Sequence, residues 1–491
     1  MSQLNAIQNA DCQFYIGATT NQQTAFNGAH YALTEVATGA SLGSIKLSSQ
    51  DDTNAAIIRA HNAQASWAAS SFETRAAVIR RFAQQLEHNA DQIHAWNARE
   101  CGSILPKSQW ELKACIDQAY MSADLTLQPS GEIFPSSIPG RDNRWIRVPV
   151  GVVGVISPWN FPLLLSLRSV LPALALGNSV VLKPDLHSSV CGGVLIAELL
   201  QTAGLPDGVC ELVLGGGDRG QQLVEHPSVN MIAFTGSTAV GRTIGEHCGR
   251  TLKKSSLELG GNNAYIVCDD ADLVSAASCG AWGSFLHQGQ ICMQSGRHIV
   301  SNHVLDAYVE TLAQRARNLV TGNPFTEQAH LGPLINDRQA DRVMRLIEES
   351  VAMGAEIVCG GTRNGRFISA TVIRNVTPDM PIYKEEIFGP VAPVIGFDSD
   401  ADAIALANNT DYGLSAAIHS SNPVRANAMA QAIHAGMVHI NDQTVNNEYQ
   451  VPFGGMKSSG NSGRFGGPAN LDEFTERKWI SSMANGIQYP F

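Results

Sequence analysis

Between residues 152 and 234 the chain alternates short apolar, β-branched runs with helix-like stretches, and this rhythm limits the possible folds more than any other feature. The runs 152–156, 179–182, 209–214 and 231–234 read as strands of a β-α-β-α series. Parallel neighbours require a long crossover, which the intervening helices supply, so a parallel sheet covered on both faces is predicted. Such a sheet takes its ligands beyond the carboxyl ends of its strands.

Upstream, residues 1–50 read as short strands and turns. Ala56, Ala60, Ala63 and Trp67 then recur at helical spacing behind Asp51, Asp52 and Thr53, which offer N-cap chemistry. Segments 72–87 and 107–123 also read as helices, whereas 127–147, rich in Ser, Pro and Gly, reads as irregular and marks a boundary. Residues 257–270 lead into a second α/β region carrying the stripe Leu305, Tyr308, Val309, Leu312, Ala316 and Leu319. A chain of 491 residues accommodates two or three domains, and two lobes with a cleft between them are expected. The last twenty or so residues suit an edge strand or arm. No internal repeat or low-complexity tract is present.

With 33 Lys+Arg against 44 Asp+Glu the net charge is −11, which disfavours nucleic acid or an anionic membrane as partner. The most apolar stretch, 163–176, is broken by Arg168 and Pro172 and is too short to span a bilayer. Residues 1–13 are polar and carry neither a secretory nor a mitochondrial pattern, so a cytoplasmic location is expected. Ten cysteines without a CxxC pair, and histidines without HExxH, give no support for a disulfide framework or a metal site, and no metal is expected.

Four segments carry chemistry. Residues 234–241, FTGSTAVG, lie where a strand should end and a helix begin, so backbone N–H groups, the helix dipole and Ser237 could meet a diphosphate; a merely structural glycine pair is the alternative. Cys292 in GQIC, 289–292, is one thiol among ten. As a free thiol it would be only roughly 3 per cent thiolate at pH 7, so a nucleophile here needs a base or an electropositive site. Glu258 in LELGGNN, 257–263, has apolar neighbours whose burial would raise its pKa toward the range of a general base. Asn160 in PWNFP, 158–162, could aim its amide into the cleft as an oxyanion donor, or bond its own turn.

In this order these motifs resemble the aldehyde dehydrogenase superfamily, together with Lys183-Pro184, EEIFGPV at 385–391 and PFGGMK at 452–457. The resemblance runs from about residue 30 to 475. It implies an α/β architecture with a Rossmann-like cofactor domain (1–127 and 149–258) and an α/β catalytic domain (259–459). A small β bridging segment (128–148 and 460–491) would build homodimers or homotetramers. By resemblance Cys292 is the nucleophile, Glu258 the general base, and Asn160 with the Cys292 backbone N–H the oxyanion hole. Lys183 would contact the adenosine ribose, Gly236, Ser237 and Gly241 the diphosphate, Glu386 and Phe388 the nicotinamide ribose and ring, with Ser157 and Trp159 also on the cofactor. NAD is the implied cofactor. Many NAD-preferring members carry a Glu three positions after the lysine; Leu186 stands here, which leaves NADP open, with Asp185 as a possible substitute.

The implied substrate is a small-molecule aldehyde. Residues 285–300, FLHQGQICMQSGRHIV, and 437–445, MVHINDQTV, are most similar to the branch acting on benzaldehyde, salicylaldehyde and vanillin. An aromatic aldehyde needs a flat apolar slot, for which Phe161, Leu165, Met293, Phe453 and Trp110 are the candidates, with core packing as the alternative for each. Arg168 lies eight residues beyond Asn160, about two helical turns, and could share its face; there it could meet a ring, a hydroxyl or a carboxylate, with an exposed or a structurally paired arginine as the alternative. Aliphatic aldehydes and semialdehydes therefore stay open. A cofactor-binding protein without turnover and an enzyme acylating coenzyme A are further alternatives, against which Cys292, Glu258 and Asn160 argue.

Overall fold

A computed structural model of the chain describes residues 29–461 and 463–491. Most of the first segment of the sequence reading, 1–28, lies outside the described residues; its remainder forms the antiparallel pair His30–Thr34 and Ser41–Lys46.

Three principal sheets occur among the described residues. The first has five parallel strands in the spatial order Cys210–Leu212, Ser179–Pro184, Val152–Ser157, Met231–Thr235, Lys254–Glu258. Its central strands are rich in buried β-branched residues because helices cover both faces. The strand order reverses between Val152–Ser157 and Met231–Thr235, and their carboxyl ends open a crevice there. Helices Gln50–Ala69, Phe72–His88, Ala90–Cys101 and Leu105–Leu125 pack around this lobe, where the Trp67 indole N–H donates to the Leu174 carbonyl at 2.9 Å. The first of these is capped by Ser49 rather than by the Asp-Asp-Thr run: Ser49 Oγ accepts the Asp52 N–H, and the Asp52 carboxylate accepts the Ser49 N–H.

The second sheet runs Glu356–Cys359, Thr371–Arg374, Val391–Phe397, Ser295–Ser301, Asn263–Val267, Ser415–His419, Met437–Ile440, parallel except at the first pair. Helix Leu305–Arg317 buries Tyr308, Val309, Leu312 and Ala316 of the predicted stripe against it. The third sheet corrects the irregular reading of 127–147. Gly131–Phe134 and Arg141–Pro149 are strands, and the second pairs along its length with Thr475–Met483 near the chain end. Ser, Pro and Gly mark the entry to the first strand and the turn between the two; the second partner of Arg141–Pro149 is remote in sequence. Thr475–Met483 is an edge strand, as its position suggested.

No helix among the described residues is long and apolar enough to cross a membrane. The broken apolar stretch is instead helix Pro162–Ala175, buried along its whole length.

Candidate active site

The five-stranded sheet ends at Glu258 and the seven-stranded sheet begins at Asn263, so the segment between them, Leu259-Gly260-Gly261-Asn262, joins the two lobes. Its glycines permit two close approaches. A Cβ on Gly260 would lie 2.6 Å from Glu386 Oε2, and one on Gly261 would lie 2.3 Å from the Cys292 carbonyl oxygen. The Gly261 N–H donates to Glu386 Oε1 at 3.0 Å. Asn263 Nδ2 donates to the carbonyls of Cys292 and Gln294, at 2.9 and 2.7 Å, and fixes the turn that carries the cysteine. That turn begins with His287 and Gln288 in the left-handed region, φ 50° and 56°, held by Gln288 Nε2 bonds to Gly102 and Pro333.

A cavity of about 1040 Å³ opens at the strand-order reversal. Ser157, Trp159, Asn160, Lys183, Gly236, Ser237, Glu386, Phe388 and Cys292 all line it. Ser237 caps helix Thr238–Thr251, whose free N–H groups face this space. Trp159 and Phe388 meet edge to face at 5.7 Å between ring centroids. Gly241 packs against Leu259, which itself borders the cavity: a Cβ on Gly241 would lie 2.3 Å from the Leu259 side chain. The cavity's size, the helix N-terminus, a buried lysine and a carboxylate at the cysteine end together fit an extended dinucleotide. Leu186 opens a short 3₁₀ turn capped by Asp185, and Asp185 rather than Leu186 borders the cavity. Burial works to raise the Asp185 carboxyl, yet hydrogen bonds and charge from His187 hold it below the usual range.

Cys292 and Asn160 also border a second, apolar cleft on the other side, lined by Trp110, Phe161, Leu165, Met293, Phe453 and Arg168. Trp110 meets Phe161 edge to face at 5.9 Å. Arg168, only 7% exposed, is not a surface arginine: its guanidinium lies 4.9 Å from the ring centres of both Phe453 and Phe465 and donates to Thr235 Oγ1 at 2.8 Å.

Electrostatics distinguish the groups. Glu258 is 2% exposed, and burial pushes its pKa up to about 8 against the opposing charges of Arg168 and Arg464 and the Gly455 N–H. Burial pushes the Cys292 thiol up to about 12, opposed by the charge of Arg168 and reinforced by Glu386 and Glu258. Attack by Cys292 therefore needs an acceptor for its proton. Glu386 is raised to about 7 by burial, against the Gly261 N–H. Asn160 Nδ2 donates to the Gln290 carbonyl at 2.9 Å, which uses one amide hydrogen and leaves the other for the site.

A model of the aldehyde dehydrogenase family matches residues 24–480. The chain belongs to this family. It is 53% identical over 450 residues to an NAD(+) benzaldehyde dehydrogenase of Pseudomonas putida, covering 92% of each chain. It is 33% identical to a salicylaldehyde dehydrogenase of Pseudomonas putida G7 solved with salicylaldehyde, with a TM-score of 0.91 and coverage of 94% of this chain and 96% of that one. A betaine aldehyde dehydrogenase of Staphylococcus aureus, solved with NAD+, superposes with a TM-score of 0.91 at 31% identity, covering 94% of this chain and 92% of that one. This aldehyde dehydrogenase thus has the family fold, and the chemistry it supports is NAD(P)-dependent oxidation of an aldehyde through a cysteine.

Sequence reasoning did not single out several residues that shape the site. Gln339 Nε2 donates to the Phe388 carbonyl at 2.9 Å, and Arg342 donates to the Ile387 carbonyl at 3.0 Å, so one face of helix Asp337–Ala352 supports the loop carrying Glu386 and Phe388. Lys107 donates to the Asn160 carbonyl at 2.9 Å. None of the three sits in a motif; a lysine at a helix start reads as a solvated charge.

Proposed function

We propose that this aldehyde dehydrogenase oxidises a small aromatic aldehyde to its carboxylate with NAD. The observation that carries the reading is the second cleft: a slot walled by Trp110, Phe161, Leu165, Met293 and Phe453 that ends on Cys292 suits a planar ring with its carbonyl at the sulfur. The relatives that act on benzaldehyde and bind salicylaldehyde support the same substrate class.

Cys292 Sγ gives its proton to the Glu258 carboxylate, which passes it to solvent, and attacks the aldehyde carbonyl carbon; the resulting oxyanion accepts hydrogen bonds from the free Asn160 amide hydrogen and the Cys292 N–H. When NAD is bound in the large cavity, its nicotinamide supplies the hydride acceptor. Loss of hydride from the thiohemiacetal leaves a thioester on Cys292. Glu258 then takes a proton from water, which attacks the thioester, and the carboxylic acid departs as the thiol is restored. Hydrolysis rather than transfer to coenzyme A is supported by a buried carboxyl, Glu258, within electrostatic reach of the nucleophile. Asp185 at the far end of the cavity supports NAD over NADP, because a fixed carboxylate accepts ribose hydroxyl hydrogens and repels a 2′-phosphate.

A semialdehyde bearing a carboxylate is the second reading, favoured by Arg168, whose Nε has no partner. The reading includes a cytoplasmic homodimer or homotetramer, supported by exposed Ile133, Phe134 and Trp479 on the three-stranded sheet. The deciding experiment measures initial rates of nicotinamide reduction with benzaldehyde, its hydroxylated analogues, hexanal and succinic semialdehyde, each with NAD and NADP. The aromatic aldehydes with NAD are expected to give the highest kcat/KM; a clear preference for hexanal or succinic semialdehyde overturns the substrate assignment.

A further inference from the structure

We propose that the buried Lys107–Glu111 pair is a positioning device for catalysis, which holds the Asn160 amide where the oxyanion forms. The proposal rests on the reading of Asn160 given above. Both residues lie on helix Leu105–Leu125, four apart, with fully buried side chains and 2.7 Å between Nζ and Oε2.

Every hydrogen-bonding group of the pair is engaged. The Lys107 ammonium donates to Glu111 Oε2 at 2.7 Å, Ser103 Oγ at 3.1 Å and the Asn160 carbonyl at 2.9 Å, which uses its three hydrogens. Glu111 Oε2 also accepts from Asn97 Nδ2 at 2.8 Å, while Oε1 accepts the N–H groups of Leu163 and Leu164 at 3.0 and 3.1 Å. Those two donors belong to the first turn of helix Pro162–Ala175, which has no side-chain cap of its own. Glu111 thus anchors the helix that follows PWNFP, and Lys107 anchors the loop itself.

Asn160 is in this way held at both ends. Its carbonyl is fixed by Lys107 and its amide by the Gln290 carbonyl, two residues before Cys292; Gln290 Oε1 in turn accepts the Ile335 N–H at 2.9 Å. The same ammonium lies 4.2 Å from the centre of the Phe161 ring, a wall of the aldehyde cleft. One cation therefore sets the oxyanion donor and one face of the substrate slot. A buried ion pair is a weak source of stability, since well-packed apolar residues often replace one without loss. Its geometric return here is the placement of a donor that must sit within a fraction of an ångström of the reacting oxygen.

The test is a double-mutant cycle on the full-length enzyme with NAD and benzaldehyde. One arm is Asn160→Ala. The other is the charge-balanced pair Lys107→Met with Glu111→Gln, which keeps a carbonyl acceptor for the Leu163 and Leu164 N–H groups. Alone, the pair is expected to lower kcat by about 10- to 100-fold and to leave NAD affinity, read by fluorescence titration, unchanged. In the Asn160→Ala background the same pair is expected to change kcat by less than about threefold, because the donor it positions is gone. An equal loss in both backgrounds, or no loss in either, overturns the proposal while leaving the Asn160 assignment intact. Asn160→Ala with unaltered kcat overturns the oxyanion reading itself. Should the paired variant not fold, Ser103→Ala removes one acceptor from the ammonium and runs the same cycle, with a loss of about threefold or more expected only where Asn160 is present.

Discussion

Glu258 occupies a site whose chemistry follows from one physical term, loss of hydration. Its carboxyl is carried to about 8 by burial, so the base form becomes the majority only above that pH. The rate of thioester hydrolysis is expected to rise as pH passes through about 8 and then level off. Glu258→Gln should remove this limb and lower the plateau by about 10²- to 10⁴-fold, checked by single-turnover kinetics across pH. The linked effect on stability has a definite sign. The folded pKa lies above the ordinary 4.5, so the stabilising contribution of neutral Glu258 is complete below 4.5 and is lost as pH rises toward about 8. Tm of Glu258→Gln relative to the parent should therefore be higher at pH above this window than below it. Asp185 acts at the other end of the cavity: Asp185→Asn is expected to shift the NAD to NADP ratio of kcat/KM toward NADP by about tenfold, the equivalent of about 1.4 kcal/mol.

At the level of elements, the glycine pair at 260–261 brings a carboxylate and a cysteine backbone against a chain crossing between two sheets. Gly261→Ala would put a methyl group 2.3 Å from the Cys292 carbonyl oxygen, a backbone atom, and 2.9 Å from Asn263 Oδ1. A fall in kcat of about 100-fold with cofactor affinity retained is expected, as for a small displacement of a reacting group. Gly249 is the contrasting case. It is exposed within helix Thr238–Thr251, and a Cβ there meets nothing within 4 Å. Gly249→Ala should raise stability by about 0.5–1 kcal/mol without altering turnover, since only unfolded-state freedom and helix propensity change; denaturant unfolding and a rate assay check it.

On the scale of the whole molecule, the two lobes meet where the carboxyl end of one sheet faces the amino end of the other, and several crossings close the joint. Thr238 Oγ1 donates to the Ser458 carbonyl at 3.2 Å, and the Leu259 N–H to the Ser459 carbonyl at 2.9 Å. Lys254 Nζ donates to the Asp472 carbonyl at 2.8 Å, tying the first sheet to the returning chain. That chain ends in the sheet where Ile133 is 84% and Trp479 70% exposed, more apolar surface than an isolated strand leaves in water without cause. Ile133→Glu combined with Trp479→Glu is expected to reduce the sedimenting species toward the protomer mass, with secondary structure retained by circular dichroism.

What the sequence determined by itself was local. Parallel strands at 152–157, 179–184 and 231–235 follow from runs of β-branched residues spaced by helices, and the chemistry of PWNFP, LELGGNN and GQIC is written in contiguous residues. Tertiary structure decided everything that depends on residues far apart in the chain. The apolar stretch around Arg168 signals a buried helix but not the arginine's partners; it lies between Phe453 and Phe465 because the chain returns from the second lobe to cover it. Strand Arg141–Pro149 pairs with Gly131–Phe134 on one edge and with the remote Thr475–Met483 on the other, a pairing that no residue near 141–149 announces. Lys107 and Glu111 resemble an exposed helical pair until helix Pro162–Ala175 and the Asn160 loop enclose them. The physical reason is the range of the forces: capping and periodicity act within a turn or two, whereas desolvation, which sets the pKa of Glu258 and Cys292 and makes the buried pair directional, depends on every segment that excludes water.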